Sequence, residues 1–370
     1  MRIAVLAHCH HPIAEPFCGG LEMHTAVVAE QLAARGHQVV LFAKEGSRSH
    51  PRVRVRTVLD RSYRYGLMPD AAGVDRSDVL AEGATERAIR MIKLGRFDAV
   101  LNNSLSPVPF RALGDAAMLT LLHTPADLVG VKAVIEAPGW RPGPRHAYAA
   151  VSAFTAQDWR TKLPAVACIP NGVDLRRWRP ARTPRPEPDL AVWAARITPE
   201  KGLPLAIRAC RAAGLRLEIA GPIAHQDHFE ADVVPLLSND ARYVGHLNHA
   251  ELPKFLRRGR VFVSSPRWSE PFGLALVEAM ACGTPAAALP RGAAAEVVSP
   301  AGGVLAADSS AGALAAAIRK AMRLDRAAVR ASVLCFDHHR MVTAFEEMLV
   351  DLVTAPVRSP SDSVADVLAF

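Results

Sequence analysis

The stretch Ser269-Glu270-Pro271-Phe272-Gly273-Leu274-Ala275-Leu276-Val277-Glu278-Ala279-Met280 carries two carboxylates eight positions apart. Glu270 lies in a loop just before a predicted helix, and Glu278 lies on that helix. Pro271 presets a turn, and the uncovered amides at the helix start carry partial positive charge. The pattern predicts a site for a polar ligand, which could hold a sugar with Glu270 and these amides and a ribose diol with Glu278.

Short apolar runs alternate with amphipathic stretches along the chain, which is typical of parallel sheets flanked by helices. Before a segment rich in proline and charge, residues 178–188, the predicted strands cover residues 3–7, 39–42, 99–101, 118–122, 149–151 and 167–169. After that segment they cover residues 190–194, 215–220, 261–263 and 285–288. A chain of 370 residues is too long for one ordinary core, so the sequence predicts an α/β protein of two domains.

Three more groups of candidate ligand-binding residues follow predicted strands. Gly19-Gly20-Leu21-Glu22 follows the first strand, and paired glycines let a ligand approach the backbone closely. Arg196 and Lys201 follow strand 190–194, where open parallel sheets bind ligands, and could neutralise a leaving diphosphate without a metal ion. His123 ends strand 118–122, where it could bond a sugar hydroxyl or serve a structural role.

Histidines near the amino end suggest zinc as an alternative ligand. His8, His10 and His11 lie close in sequence to Cys9 and Cys18. Neither a C-x-x-C nor an H-E-x-x-H pattern accompanies them, so a polar rim of the ligand cleft is the favoured interpretation.

Composition favours a cytoplasmic protein. The six cysteines are scattered without a paired framework, as expected for reduced thiols, and the first residues read as a buried strand rather than a secretory signal. The net charge is +8, and residues 48–64 are rich in arginine. This stretch is interpreted as a solvated edge strand, with contact to an acidic acceptor or to anionic lipid at the inner membrane face left open. A nucleic-acid role is disfavoured, and the oligomeric state is not predicted.

Several segments resemble the retaining glycosyltransferases of family 4, the group 1 enzymes that are similar to glycogen and sucrose synthases. Residues 19–22, 196–202 and 269–280 occur in the order that this family shows. Ile169-Pro170-Asn171-Gly172-Val173-Asp174 resembles the segment between the family's two domains. Residues 150–155, 244–246 and 251–252 are also similar to family segments, so the resemblance spans nearly the whole chain.

The resemblance implies the GT-B fold, in which two Rossmann-like domains with parallel sheets face a central cleft. Residues 1–170 would form the acceptor-binding domain, 171–188 the linker and 189–335 the nucleotide-sugar-binding domain. Residues 336–353 would form a terminal helix that crosses back to the first domain, and 354–370 a tail.

The resemblance also implies roles for individual residues. The catalytic residues would be His123, Arg196, Lys201 and Glu270. The donor-binding residues would be Gly19, Gly20, Arg196, Lys201, Gly245, His246, Glu270, Phe272, Gly273, Leu274 and Glu278.

The activity implied is transfer of a hexose from a nucleotide sugar with retention of configuration and without a metal or other cofactor. A UDP-glucose-like donor is favoured on family frequency, with GDP-mannose second. The acceptor would be a glycan, a lipid-linked sugar or a small molecule. Two alternatives stay open: an epimerase or hydrolase of nucleotide sugars with the same fold, and a nucleotide-sugar-binding protein without turnover.

Overall fold

The computed structural model describes residues 1–66, 75–183 and 185–355, which form two parallel α/β domains. The strands of the first sheet are β1 Arg2–Ala7, β2 Gln38–Lys44, β3 Val53–Leu59, β4 Ala99–Asn103, β5 Met118–Leu122, β6 His146–Ala150 and β7 Val166–Cys168. Those of the second are β8 Leu190–Ala194, β9 Arg216–Ala220, β10 Ala241–Gly245, β11 Val261–Ser264, β12 Ala286–Ala288 and β13 Gly303–Leu305. The strand orders are β3-β2-β1-β4-β5-β6-β7 and β10-β9-β8-β11-β12-β13, and every pairing within the two sheets is parallel.

Helices connect the strands. In the first domain they are α1 Gly20–Ala34, α2 Ser77–Leu94, α3 Val108–Ala112, α4 Val129–Ile135 and α5 Ala153–Trp159. In the rest of the chain they are α6 Leu203–Ala213, α7 Gln226–His228, α8 Leu252–Arg258, α9 Leu274–Ala281, α10 Ala294–Val297, α11 Ala311–Ala321, α12 Arg326–Ala331 and α13 His338–Thr354. Short 3-10 turns cover Pro199–Lys201 and Val234–Leu236, and a π turn covers Phe229–Val233.

Helices pack on both faces of the first sheet, and its central strands are therefore apolar along their length. Strand β5, with the sequence Met-Leu-Thr-Leu-Leu, is buried at every position. Such strands read as continuous hydrophobic runs because no face meets water. The predicted α/β class with two parallel-sheet, Rossmann-like domains is confirmed.

Helix α13 crosses back to the first domain, as predicted. Its buried residues Met341, Phe345 and Leu349 belong to the same core cluster as β1 and α1. At the surface, Glu346 accepts hydrogen bonds from Arg35 (2.6 Å) and pairs with His37 (2.8 Å). The chain therefore ties its last helix to its first domain through both apolar packing and charge.

The limits predicted for the domains, at residues 170, 188 and 335, stay predictions. Near the first limit, the amide of Val173 donates to the carbonyl of Phe336 (2.9 Å), so the predicted linker contacts the start of α13. The predicted tail lies outside the described residues from position 356 onward.

The arginine-rich stretch forms the edge of the first sheet. Strand β3 pairs only with β2 within that sheet, and Arg54 and Arg56 on it are exposed. This position fits a solvated edge strand, while contact with anionic lipid stays a prediction. Within the described ranges, no helix combines the length and the apolar character needed to cross a membrane.

Candidate active site

A cleft of about 730 Å³ lies between the two domains. Its walls come from loops that follow β1 and β5 in the first domain and β8 and β11 in the second. Carboxyl ends of parallel strands meet at one edge of a sheet, so these loops converge although they are far apart in sequence. All the predicted site residues except Gly245 line this cleft. Gly245 lies behind it, where its carbonyl accepts the amide of Gly221 (3.0 Å).

The paired glycines let the two domains approach closely. A Cβ atom placed on Gly20 would come within 2.8 Å of Leu274 Cδ1, at the start of α9. A Cβ atom on Gly19 would lie 3.1 Å from Glu22 Oε2 and 3.7 Å from Arg196 Nε. Side chains at these two positions would therefore narrow the cleft where the first domain faces Arg196 and the start of α9.

Lys201 and Trp268 both hold one oxygen of Glu270. Lys201 ends a 3-10 turn that Gly202 closes in the left-handed conformation, with φ of 64°. Its ammonium donates to Glu270 Oε2 (2.7 Å), and Trp268 Nε1 donates to the same oxygen (2.9 Å). In the part of the chain that the structure describes, Glu270 Oε1 has no hydrogen-bond donor. Glu270 is thus fixed in orientation and keeps one oxygen for a ligand.

Glu278 is buried on α9, with 7% of its surface exposed. Burial disfavours the ionised form and raises the pKa of its carboxyl to about 8. The side chain is therefore mostly protonated at pH 7, and it can both donate and accept a hydrogen bond. This chemistry suits a neutral diol better than a phosphate.

His123, which lines the cleft, packs against the buried ring of His24, and both imidazoles are neutral. Their ring centroids are 4.6 Å apart in an edge-to-face arrangement. Burial lowers the pKa of His24 to about 3 and holds the pKa of His123 well below its usual value. The Nε2 atom of His123 is buried and meets no hydrogen-bond partner among the described residues. It can therefore donate to, or accept from, a sugar hydroxyl.

Glu22 is a cleft residue that belongs to the predicted segment 19–22 but received no role of its own in the sequence analysis. It is 4% exposed, and its Oε1 lies 3.5 Å from His8 Nδ1. Burial alone would raise the pKa of Glu22, but its interaction with the His8 ring 3.5 Å away brings it below its usual value. An ionised carboxylate therefore faces the cleft from the first turn of α1. Its position in that turn is the one signal that the sequence offered.

The histidines near the amino end, His8, His10 and His11, line the cleft, which agrees with their interpretation as part of its polar rim. His8 and His10 are 4.1 Å apart, and His10 stacks on Tyr65 at 4.0 Å between ring centroids. Across residues 1–66, 75–183 and 185–355, three mutually close metal-ligand atoms occur at Asp337, His338 and His339 rather than at this cluster.

Polar contacts join the domains beside the cleft. Glu296, on α10 of the second domain, accepts the backbone amides of Ala153 (2.7 Å) and Phe154 (2.6 Å) at the start of α5. Thr155 Oγ1 donates to the carbonyl of Pro271 (3.2 Å), inside the loop that carries Glu270. His246 Nε2 bonds the carbonyl of Phe17 (3.2 Å). These contacts link the first domain directly to the part of the second domain that borders the cleft.

Known proteins show the same domains, similar sequences and the same fold. The model of group 1 glycosyl transferases matches residues 175–332, and that of Glycosyltransferase Family 4 matches residues 18–177. Glycogen synthase of Mycobacterium tuberculosis is 29% identical over 96% of this chain and 94% of its own length. D-inositol 3-phosphate glycosyltransferase of Mycobacterium marinum is 27% identical over 78% of this chain and 70% of its own length.

Solved structures support the same fold. Sucrose-phosphate synthase from Thermosynechococcus elongatus superposes with a TM-score of 0.77 at 20% identity, over 96% of this chain and 100% of that one. Anabaena HepE in complex with UDP-glucose superposes with a TM-score of 0.70 at 16% identity, over 95% of this chain and 100% of that one. The two family models together span residues 18–332. The chain therefore belongs to the group 1 glycosyltransferases and has their GT-B fold.

Proposed function

We propose that this glycosyltransferase moves a hexose from a UDP-sugar, with UDP-glucose as the first candidate donor and GDP-mannose as the second, to a hydroxyl of a neutral carbohydrate. We propose further that the transfer retains the anomeric configuration and needs no metal ion. The observation that carries the proposal is the arrangement of Arg196, Lys201 and the fixed Glu270 opposite the glycine pair at positions 19 and 20.

The two cations suit the diphosphate of the donor. Among the described residues that line the cleft, Arg196 and Lys201 are the only lysine or arginine side chains. Fixed positive charge stabilises negative charge as it develops on a leaving phosphate. Support for a uridine nucleotide comes from Anabaena HepE, which was solved with UDP-glucose.

The remaining groups suit the hydroxyls of the donor. The protonated carboxyl of Glu278 would bond the ribose diol. The free oxygen of Glu270 and the amides at the start of α9, which have no partner one turn earlier, would bond hydroxyls of the hexose. The neutral ring of His123 would bond another hydroxyl from the first domain. These contacts would orient the anomeric carbon toward the acceptor.

The reaction proposed is a front-side displacement. The acceptor oxygen attacks the anomeric carbon on the face that the phosphate leaves. The bond from that carbon to the phosphate oxygen breaks while the new carbon–oxygen bond forms, and the acceptor proton passes to the leaving phosphate. No side chain acts as a nucleophile, so the protein contributes positioning and charge stabilisation.

The first-domain wall of the cleft favours a neutral acceptor. Its charged side chains among the described residues are the carboxylates of Glu22, Asp78 and Glu82, with hydroxyl groups and the ring of Tyr65 beside them. Residues 67–74, outside the description, contain neither lysine nor arginine. Carboxylates repel a phosphorylated acceptor such as the inositol 3-phosphate in the name of several relatives. They accept hydrogen bonds from the hydroxyls of a neutral sugar.

The test is product analysis by NMR. The purified protein is incubated with EDTA and either UDP-glucose or GDP-mannose, together with a maltooligosaccharide or with glucose 6-phosphate. We expect an α-linked product from UDP-glucose and the neutral acceptor, at a rate at least tenfold above that with glucose 6-phosphate. A β-linked product would contradict retention, and loss of turnover in EDTA would contradict metal independence. Free hexose or an epimerised nucleotide formed at full rate without acceptor would contradict transfer.

A further inference from the structure

A second cavity, of about 680 Å³, lies in the second domain. It is bordered by the first two turns of α6, by the turn that carries His228 and by the loops after β11 and β12. None of the residues that line it also lines the donor cleft. The Pro199–Lys201 turn separates the two, because Pro199 lines the second cavity and Lys201 lines the cleft.

Three arginines give this cavity a positive charge. Arg208 and Arg267 are exposed, and their guanidinium groups form neither hydrogen bonds nor ion pairs with residues in the described ranges. Arg291 is partly buried and donates to Ser309 Oγ (3.2 Å). Among the described residues of the cavity wall the one carboxylate is Asp232, which already pairs with His228 Nδ1 (2.7 Å). Guanidinium groups present several donors in a planar fork that matches a phosphate.

His228 adds a buried polar atom without a partner. Its side chain is 8% exposed, and its Nε2 atom meets no hydrogen-bond partner in the portion of the chain described. Buried polar atoms in folded proteins are nearly always bonded to protein, water or ligand. Because Asp232 pairs with Nδ1, Nε2 is the ring atom left for a ligand in the cavity.

We propose that this cavity binds a phosphate monoester and that the bound phosphate stiffens the donor-side loops. The volume exceeds the space that inorganic phosphate fills, so the organic part of the ligand would occupy the apolar wall formed by Leu205, Leu236 and Leu289. Binding itself is independent of the transfer reaction proposed above, whereas the effect on donor affinity rests on that function.

The backbone connects two of the three arginines with the donor site. The amide of Arg267 donates to the carbonyl of Glu200 (2.8 Å), next to Lys201, and Arg267 precedes Glu270 by three residues. On the other side, Arg291 precedes Gly292, where a Cβ atom would lie 2.1 Å from the carbonyl oxygen of Glu270. A phosphate held by Arg267 and Arg291 would therefore restrict the motion of the loop that presents Glu270, because one arginine lies in that loop and the other lies next to the glycine packed against it.

The test is the melting temperature of the full chain at saturating UDP, which fills the donor cleft, with ionic strength matched by NaCl. At ten times its dissociation constant, glucose 6-phosphate should raise the Tm by about 2 °C, while glucose should not. Inorganic phosphate should give a smaller rise at the same concentration. The double variant R208A/R267A should lose the rise, and the matched variant R323A, at an exposed arginine of the same domain outside the cavity, should keep it.

A rise that disappears once UDP is saturating would place the phosphate in the donor cleft and overturn the proposal. So would a rise that persists in R208A/R267A, or no rise at all. If UDP itself fails to stabilise the protein, the same comparison is made in an R196A/K201A background, so that a failed donor assignment and a failed phosphate site give different results.

Coupling is measured separately. Glucose 6-phosphate should lower the dissociation constant of UDP at least threefold in the native chain and leave it unchanged in R208A/R267A. Because coupling is reciprocal, UDP should lower the dissociation constant of glucose 6-phosphate by the same factor. Binding without any such change would overturn the effect on the donor loops.

Discussion

The ammonium of Lys201 and the carboxylate of Glu270 lie 2.7 Å apart, although 69 residues separate them in sequence. The pair joins the loop after β8 to the loop after β11, and Trp268 braces the same carboxylate oxygen. Lys201 thus has two tasks in the proposed site, because it orients Glu270 and contributes positive charge for the diphosphate.

Replacing Lys201 by alanine should therefore cost far more activity than stability. We expect kcat to fall about 10²- to 10³-fold, as when a fixed group that stabilises developing charge is removed. The side chains of the pair are only 15% and 22% exposed, so K201A leaves a shielded carboxylate that keeps its bond from Trp268, and the Tm should fall by several degrees while the chain stays folded. Steady-state kinetics and thermal unfolding check both expectations. K254A, at an exposed lysine of the same domain, is the control. A K201A enzyme within threefold of native kcat would remove Lys201 from the proposed mechanism.

The raised pKa of Glu278 makes the stability of the protein depend on pH. Between its ordinary value of 4.5 and the folded value of about 8, the folded chain holds a proton that the unfolded chain has released. The free energy of unfolding therefore falls, and the protein becomes less stable, as the pH rises through this window. E278Q removes the effect, so its Tm should exceed the native Tm by an amount that grows from pH 5 to pH 8. The same variant should bind UDP more weakly.

Thermal unfolding at pH 5, 6, 7 and 8 checks this expectation, with E347Q as a control at an exposed helical position. A Tm difference between E278Q and the native chain that stays constant over this range would mean that Glu278 does not titrate there.

Local patterns predicted much of the architecture. The limits of β5 and β8 agree with the prediction because both are short apolar runs that are buried along nearly their whole length. Strands β10 and β13 were not predicted as strands. In β10 polar residues interrupt the apolar pattern, and β13 has only three residues, beginning with a glycine.

The candidate site was predictable only in part, because some of its residues depend on contacts between distant segments of the chain. Residues in loops at strand ends, such as Arg196 and Glu270, could be selected because parallel sheets place their carboxyl ends together. Glu296 could not be selected, and Glu22, although part of the predicted segment 19–22, could not be given a role. The importance of Glu22 depends on its burial against His8, and that of Glu296 on bonds to a segment 142 and 143 residues away. Neither property appears in a local sequence pattern.

The close approach of Gly20 to Leu274 predicts a variant and its rescue. G20V places side-chain atoms where even a Cβ would come within 2.8 Å of Leu274 Cδ1, so the domains should separate locally. We expect kcat/KM to fall about tenfold, because small misplacements of reacting groups are costly. L274A shortens the opposing side chain, and the double variant G20V/L274A should recover most of the loss. Non-additivity of this kind is the signature of direct contact. Additive losses in the double-mutant cycle would show that the two residues act independently.

The contact that Glu296 makes leads to a prediction about how strongly the two domains associate. Its carboxylate accepts the amides of Ala153 and Phe154 at 2.7 Å and 2.6 Å, so E296A leaves both donors to water and removes a contact between the domains. Because the position is exposed, we expect closure of the two domains to become less favourable by about 1 kcal/mol. If closure accompanies binding, this corresponds to a roughly fivefold loss of UDP affinity.

Small-angle scattering should show a larger radius of gyration for E296A than for the native chain without ligand, and saturating UDP should bring the two values together. E230A, at an exposed glutamate of the same domain, should match the native chain in both measurements. Equal scattering and equal affinity for E296A and the native chain would mean that this contact does not govern the opening of the cleft, which would then be left to the Thr155–Pro271 and His246–Phe17 bonds.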